Sequence, residues 1–510
     1  MRIKEAALNK ISRITHYISR DARILNRKIP RAVLVGVLGV ILMYVGVSGI
    51  ISTTTPYWLG VGDSPRHIDY AWSVYNKNIP EFKDGLQYPV FNDLREGAYG
   101  TQPAAFHPPL FYALHAPIVG PLLESGSWEK AILVGRGLNI LIGVFCIGAL
   151  AWGGWIFGGS RKKIFAISVP AFGALTHHFT SLNLNYANDV LLILLSTASM
   201  IASYKLLQNG LTKKNVTIIA LLSVFGMATK ASFIIFLFTN LLSIIIAAII
   251  HSEKKETIKN IIKSMLISGA IAVLVVISIG WFYYFWNYQE SGRWFSSSST
   301  GFVANRPNKT LTDVMTHPSL WGMLYNNFAS LPIISTTISI AGYMGAIFYA
   351  TKTRLKKVIS NKPNAAIFLI MSMAVGGTFA SQVFHAEGYG GFYFRYFLPV
   401  VLPIGIVFSY GLLQYKKTKS QLITLAAASM GLSTIYTSVR AGHLSHSLEG
   451  IYAVDGTLSK IYYASSEIGV PFWVASALIA FFVIGVFLVS IALYRLSSKV
   501  EEQPTKQKYV

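Results

Sequence analysis

The sequence predicts an all-α polytopic membrane protein, and three observations carry that. Twelve apolar stretches near the length of a bilayer-crossing helix recur along the 510 residues. Only 13% of residues are charged and 53% are hydrophobic, with a mean hydropathy of +0.49, whereas a soluble globular chain carries roughly 25% charged residues. The third is the loop charge, which alternates in sign along the chain. The apolar runs are continuous rather than in-out alternating, which excludes a closed barrel.

A net charge of +23 invites a nucleic-acid reading, but its distribution opposes one. With the N-terminus placed in the cytoplasm, 31 of the 44 Lys and Arg fall in inner segments, which hold only six of the 21 acidic residues. The inner face then carries about +25 and the remainder about −2, the asymmetry that orients helical membrane proteins. No nucleic-acid partner is expected, and both termini are placed in the cytoplasm.

The expected elements run in this order. Residues 1–31 form a basic arm in which Ile3, Ala7, Ile11, Ile14 and Ile18 share one helical face, so it reads as a helix on the inner leaflet. It lacks an apolar h-region and a small-residue cleavage site, so the first span is an uncleaved anchor. Spans follow at 33–51, 131–157, 164–181, 186–207, 216–229, 231–251, 264–286, 331–350, 364–384, 396–413, 421–438 and 471–494, each measured against about 20 residues per crossing. The 216–229 stretch is short. Lys230 directly after it reads as an outer-surface residue between two closely spaced helices, although one long bent helix is the alternative.

Basic loops at 158–163, 208–215 and 414–420 turn the chain tightly on the inner side, with Gly158, Gly159, Gly210 and Asn215 as helix-stop and turn residues. Length accumulates outside, in loops 52–130, 287–330 and 439–470, so residues 32–495 form one membrane domain and 496–510 a cytoplasmic tail. Within the first outer loop, Ile68, Tyr70 to Val74 and Ile79 suit a short amphipathic helix beginning just after Asp63. Pro108 to Leu123 reads as an interfacial helix with proline at its start. Ser291 to Lys309 is polar, glycine- and serine-rich, and expected to be mobile. Cys146, the one cysteine, lies inside a span and reads as a small core residue; no intrachain disulfide can form.

Reactive polar groups sit most cheaply at the water boundary of a membrane protein, which directs attention to the first outer loop. Asp63 follows Gly60-Val61-Gly62 and suits either a helix N-cap or a general base. Arg66, His67 and Asp69 crowd the same stretch. His67, Asp69, His107 and Asp93 have the right chemistry for a divalent metal but no recognisable ligand spacing. His177 and His178 read as helix-end residues that cap the helix or face solvent, and His443 and His446 as solvated ones. The aromatic run Trp281 to Trp286, with Tyr288 and Trp294, suits an interfacial belt, part of which could stack on a sugar or line a groove for a lipid tail.

Asp63-Ser64-Pro65-Arg66-His67, followed by Tyr70, Ala71 and Asn78-Ile79-Pro80, resembles the motif after the first span of GT-C glycosyltransferases, the multi-span enzymes related to protein O-mannosyltransferases and the lipid A aminoarabinose transferase. His107-Pro108-Pro109-Leu110-Phe111-Tyr112 is similar to their His-Pro-Pro-Leu or Lys-Pro-Pro-Leu-Tyr-Tyr segment. Arg136-Gly137-Leu138-Asn139 resembles the opening of their second crossing helix. Asn185, Asn188 and Asp189 resemble the polar start of a later span, Thr229-Lys230 their outer-surface lysine, and Tyr393 to Pro399 the entry to a late span. The resemblance spans nearly everything except the N-terminal arm and C-terminal tail.

That resemblance implies transfer of a sugar from a polyprenyl-phosphate carrier to a lipid, glycan or protein hydroxyl outside the membrane, most naturally a bacterial inner membrane with the site facing the periplasm. Asp63 takes the catalytic acid's position. The usual Asp-Glu is here Asp63-Ser64, and Ala105 and Phe106 stand where an acidic residue precedes the His-Pro-Pro; Asp69, Asp93 and Glu96 are the carboxylates available to compensate. No cofactor is firmly implied, a divalent metal being the one candidate.

Independently of the resemblance, displacing a lipid phosphate builds negative charge that preorganised cations stabilise. Arg66, Lys230 and Arg395 are the candidates, with His107 and His385 as further donors and His67, Asp69, Asp93 and Asp189 in acceptor or supporting roles. Arg395 and Lys230 also suit snorkelling to the interface. Rival readings are a multi-span transporter or flippase, a surface-polysaccharide polymerase or ligase using Arg440, His443 and His446, and an assembly protein. Against a transporter, the halves do not echo each other and mid-span ionisable residues are nearly absent.

Overall fold

A computed structural model describes residues 29–55, 64–93, 101–253, 256–289, 310–325, 329–352, 361–389, 394–413, 419–444 and 456–501. The expected N-terminal arm helix, Asp63, Glu96, the 291–309 segment and His446 lie outside the described residues. The described residues are helices and turns, without strands. Among them, nine helices are long and apolar enough to cross a membrane, and Leu110–Glu124 and Pro332–Ile347 are shorter apolar ones.

Each of the twelve expected segments contains a helix, with informative departures. The 164–181 stretch is not one span. Its helix covers Lys162–Ala174, about 20 Å at 1.5 Å per residue and short of the roughly 30 Å hydrocarbon core. It stops before Thr176, whose hydroxyl accepts from the Phe179 N–H and starts a new short helix, His177–Ser181. His177 and His178 lie at a helix end, as expected, and are partly buried, His178 against Phe394 (centroids 5.5 Å apart).

Lys213–Met227 and the helix from Ile234 form a hairpin rather than one bent rod. Lys230 is extended (φ −162°, ψ 140°), Gly226 faces the Phe233 ring, and Asn240 Nδ2 donates to Ser223 Oγ across the pair at 3.2 Å. Expected span 396–413 enters as a 3-10 helix, Phe394–Val400, before the α-helix Val401–Leu412. In a continuous α-helix from Phe394, Pro399 and Pro403 would fall beyond the first turn, where a missing N–H leaves a carbonyl unpaired, and Arg395 sits in the 3-10 segment rather than at an α-helix start. After Val275 the chain winds through two π segments, Val276–Gly280 and Tyr283–Tyr288, the second within the aromatic run.

Glycine brings the first and last long helices together. Side chains at Gly39, Gly46 and Gly485 would collide with the facing helix: a Cβ on Gly39 would stand 2.8 Å from the Gly485 carbonyl oxygen, and one on Gly485 2.6 Å from that of Gly39. Such close approach maximises backbone dispersion contacts where burial of apolar surface offers no driving force. Arg31–Thr54 thereby lies along Phe472–Glu501, which continues as helix beyond the expected tail boundary at 496. The main core joins Val40, Met43 and Tyr44 to Ile147, Phe165 and Val489, and Cys146 is buried within it as expected.

The described residues between the first two long helices form a structured cap. Ser64–Tyr75 forms the expected amphipathic helix, and Leu110–Glu124, with Pro117 and Pro121 inside it, spans only about 22 Å by the same rise. Ile68, Tyr70, Phe91, Phe111, Tyr112 and Val119 make a second core that also holds Ala131 and Tyr186. Asp69 fastens it: the Gln87 and Tyr88 N–H groups each donate to Oδ1 at 2.7 Å, and Gln102 Nε2 donates to Oδ2 at 2.6 Å. Arg136, 2% exposed, ties this cap to the first helix. Its Nη1 donates to the Ser52 and Thr55 carbonyls at 2.8 and 2.9 Å, supplying donors that a helix C-terminus cannot find in its own backbone.

Candidate functional site: a cationic cavity under the cap

Cap and helix ends enclose a cavity of about 320 Å³, at the lower end of the size range of small-molecule sites. Six sequence-selected cationic or imidazole residues line it: Arg66, His67, His107, Lys230, His385 and Arg395. They come from the Ser64–Tyr75 helix, the His-Pro-Pro turn, the 228–233 hairpin turn, the Lys362–Tyr389 helix and the 3-10 entry at 394–400. Asp189 is the one carboxylate-bearing residue in the described lining, and Leu192, Ile234, Ile235, Phe236 and Pro399 supply an apolar wall.

Local chemistry explains each placement. His107 precedes a proline, which disfavours helical backbone, and it is extended (φ −93°, ψ 137°) between the Pro103–Phe106 3-10 turn and the helix from Leu110. Tyr70 donates from its hydroxyl to the His107 carbonyl at 3.0 Å. His67 lies parallel to His107, with centroids 5.8 Å apart, and its Nδ1 shares a 2.6 Å hydrogen bond with the Tyr112 hydroxyl. The Tyr70 and Tyr112 rings stack at 3.8 Å. One aromatic stack therefore orients both imidazoles.

The opposite wall is ionic. Asp189 opens the helix Asp189–Asn209, where the aligned peptide dipoles favour a negative charge. Its Oδ1 is 2.6 Å from Lys230 Nζ, with only 5% and 12% of the two side chains exposed. Lys230 is delivered by a braced turn: Asn188 Nδ2 donates to the Thr229 carbonyl at 3.2 Å, Tyr283 Oη to the Met227 carbonyl at 2.8 Å, and the Leu110 N–H to the Ala228 carbonyl at 3.2 Å. Tyr396 sits at the centre, with Lys230 Nζ 5.5 Å and Arg395 Cζ 5.2 Å from its ring centroid and His385 edge-on at 5.0 Å. Cations over a ring face gain from its quadrupole. With Arg66, Lys230 and Arg395 against Asp189, the described lining carries about +2, in a setting screened less than the surface.

Other expected residues go elsewhere. Asp69 is fully buried but not in the cavity lining, its carboxylate engaged in the cap. Burial pushes its carboxyl up to about 7 against the three N–H donors that hold it down. Asp93 ends the short helix Pro89–Asp93 and is not in the lining, and its side chain lies outside the described residues, as does the whole of Asp63. Among the described residues, no three His, Cys, Asp or Glu side chains gather closely enough to hold a metal ion. His67 and His107 are adjacent, but Asp69 is turned to Gln87, Tyr88 and Gln102. Sequence reasoning missed Tyr112 and Tyr396 as organisers, although both lie within the motifs it singled out.

No family model and no curated protein matches the chain. Among solved structures it is similar to ArnT from Cupriavidus metallidurans bound to undecaprenyl phosphate, with a TM-score of 0.44 and 13% identity over 91% of this chain and 77% of that one. It is also similar to the Archaeoglobus fulgidus oligosaccharyltransferase AglB in complex with an inhibitory peptide and a dolichol-phosphate, with a TM-score of 0.43 and 12% identity over 91% of this chain and 56% of that one.

Proposed function

We propose that this chain is a membrane glycosyltransferase that moves a sugar from a polyprenyl-phosphate carrier to an acceptor hydroxyl on the outer side of the membrane, in a bacterial inner membrane with the cavity open to the periplasm. The observation that carries the reading is the meeting of Arg66, Lys230 and Arg395, 329 positions apart from first to last, in one cavity with an apolar wall. Cations gathered from distant chain positions suit an anionic ligand better than three separate interface anchors, and the apolar wall suits a ligand that is part lipid.

In the proposed reaction the acceptor oxygen bonds to the sugar's anomeric carbon as the bond from that carbon to the phosphate oxygen breaks. Asp63 takes the hydroxyl proton. The lipid phosphate leaves with one more negative charge than it carried as a diester. Arg66, Lys230 and Arg395 stabilise that increment, Arg395 through the planar two-pronged geometry that suits phosphate, while His107 and His385 donate further hydrogen bonds. His67 and Asp189 orient these groups. Interactions that strengthen as charge develops raise the rate rather than merely the affinity.

Asp63→Asn tests the reading. The variant should lose transfer by about 100-fold or more while binding undecaprenyl phosphate like the wild type; near-wild-type turnover removes Asp63 as the base. Mass spectrometry of envelope glycans with and without the gene should show one sugar missing, and a trapped lipid-linked intermediate would point to a flippase instead.

A further inference from the structure

The cavity's cationic and imidazole residues come from separate segments of the chain, and the wall carrying Arg66 and His67 faces a wall carrying Asp189 and Lys230. We infer that Ser64 is a positioning residue. Its buried hydroxyl docks the start of the Ser64–Tyr75 helix onto the 182–188 turn and thereby places Arg66 for the phosphate of the carrier. The inference rests on the proposed function and goes beyond it, assigning a role to a residue that is neither charged nor in the described cavity lining.

The argument starts from the bond itself. Ser64 is 4% exposed and donates from Oγ to the Leu184 carbonyl at 2.8 Å, across 120 positions of sequence. Leu184 belongs to the turn that leads into Asp189, and that turn is held along its length. Asn183 Nδ2 donates to Ser48 Oγ of the first long helix at 3.0 Å. Asn139 Nδ2 donates to the Ala187 carbonyl at 3.3 Å, and Asn188 Nδ2 to that of Thr229, the residue before Lys230. Between these anchors Tyr186 has φ +49°, a left-handed conformation that is costly for a bulky side chain. Its ring meets Phe111 and His115 of the cap edge-on, with centroids 5.5 and 5.0 Å away, and a Cβ on Gly135 would stand 2.5 Å from its Cε2. Backbone strain of this kind persists only where the surroundings over-determine it. The turn is therefore a rigid reference between the two walls.

A capping role alone does not account for Ser64. A serine at a helix start ordinarily uses its oxygen to accept from first-turn N–H groups, whereas Ser64 gives its proton to a carbonyl far along the chain. Arg66 follows two residues later, and its own carbonyl accepts from Gln102 Nε2 at 3.1 Å, so the helix start is gripped on two sides. Hydrogen bonds from a guanidinium to phosphate weaken steeply as distance and angle depart from the optimum. The serine that stands in for the acid of the usual Asp-Glu pair thus carries a docking bond instead of a charge.

A double-mutant cycle tests this in the full chain in lipid nanodiscs, with undecaprenyl phosphate as the probe and dissociation constants read by native mass spectrometry. Ser64→Ala removes one oxygen and should weaken binding by about threefold or more. In an Arg66→Ala background the same change should cost less than about twofold, because the residue through which Ser64 acts is gone. A smaller loss in the single variant overturns the inference. So does a larger loss in the Arg66→Ala background, the result expected of a hydroxyl that only holds the fold, and so does failure of Ser64→Ala to fold. Failure of the wild type to bind undecaprenyl phosphate overturns the proposed function itself and is distinct from all three.

Discussion

Two buried carboxylates, 120 residues apart, divide the molecule's work. Asp69 in the cap takes hydrogen bonds from three neutral N–H groups, while Asp189 at the cavity takes one short contact from an ammonium. Neutral donors at fixed backbone positions define one loop conformation, so Asp69 sets shape. The Lys230 ammonium meets its carboxylate almost out of reach of solvent, so Asp189 sets potential. The sequence put both aspartates in acceptor or supporting roles; the groups that come to meet them separate them.

If that division is right, variants on the two sides fail differently. Arg395→Ala, on the cavity side, should reduce transfer by about 10²–10³-fold and weaken undecaprenyl phosphate binding, with an unfolding temperature close to the wild type's. Unchanged phosphate affinity would leave Arg395 only an anchoring role. Asp69→Ala should do the reverse first. It strands three donors, two of them backbone groups, and should destabilise the protein by about 3 kcal/mol, read as a lowered unfolding temperature in detergent; a normal unfolding temperature with lost transfer would merge the two regions into one.

The smallest effect concerns pH. Burial raises the Asp69 carboxyl from its ordinary value of 3.8 to about 7, so the folded cap holds the proton more tightly than the unfolded chain. Its contribution to stability is complete below about pH 4 and disappears as pH rises through about 7. Wild type should therefore lose stability relative to Asp69→Asn between pH 4 and 7, by paired thermal melts. A constant difference across that window would show that the N–H donors, not burial, govern the carboxyl.

Much of this was legible in the residues. Apolar runs located a helix in every expected span segment, and the Asp63–Asn78 pattern placed a helix at Ser64 with Arg66 and His67 on it. The same motifs selected the cations that meet at the cavity. What escaped were features decided by partners far along the chain. Nothing near Asp69 announces Gln102, 33 residues on, as its donor. The break before Thr176 depends on a side-chain cap and on Asn183, buried among Tyr44 and Ser48 of another helix. Tyr396 looks like one interfacial tyrosine among 27 until Lys230 and His385 arrive beside it.

The glycine-to-glycine contact between Gly39 and Gly485 imposes a schedule on biogenesis. A ribosome releases the earlier of these two helices hundreds of residues before its mate, so a groove cut for a neighbouring backbone stands open throughout most of translation. Chains interrupted anywhere before Phe472 would keep that groove unfilled, and membrane quality control would have a physical mark by which to tell unfinished copies from finished ones.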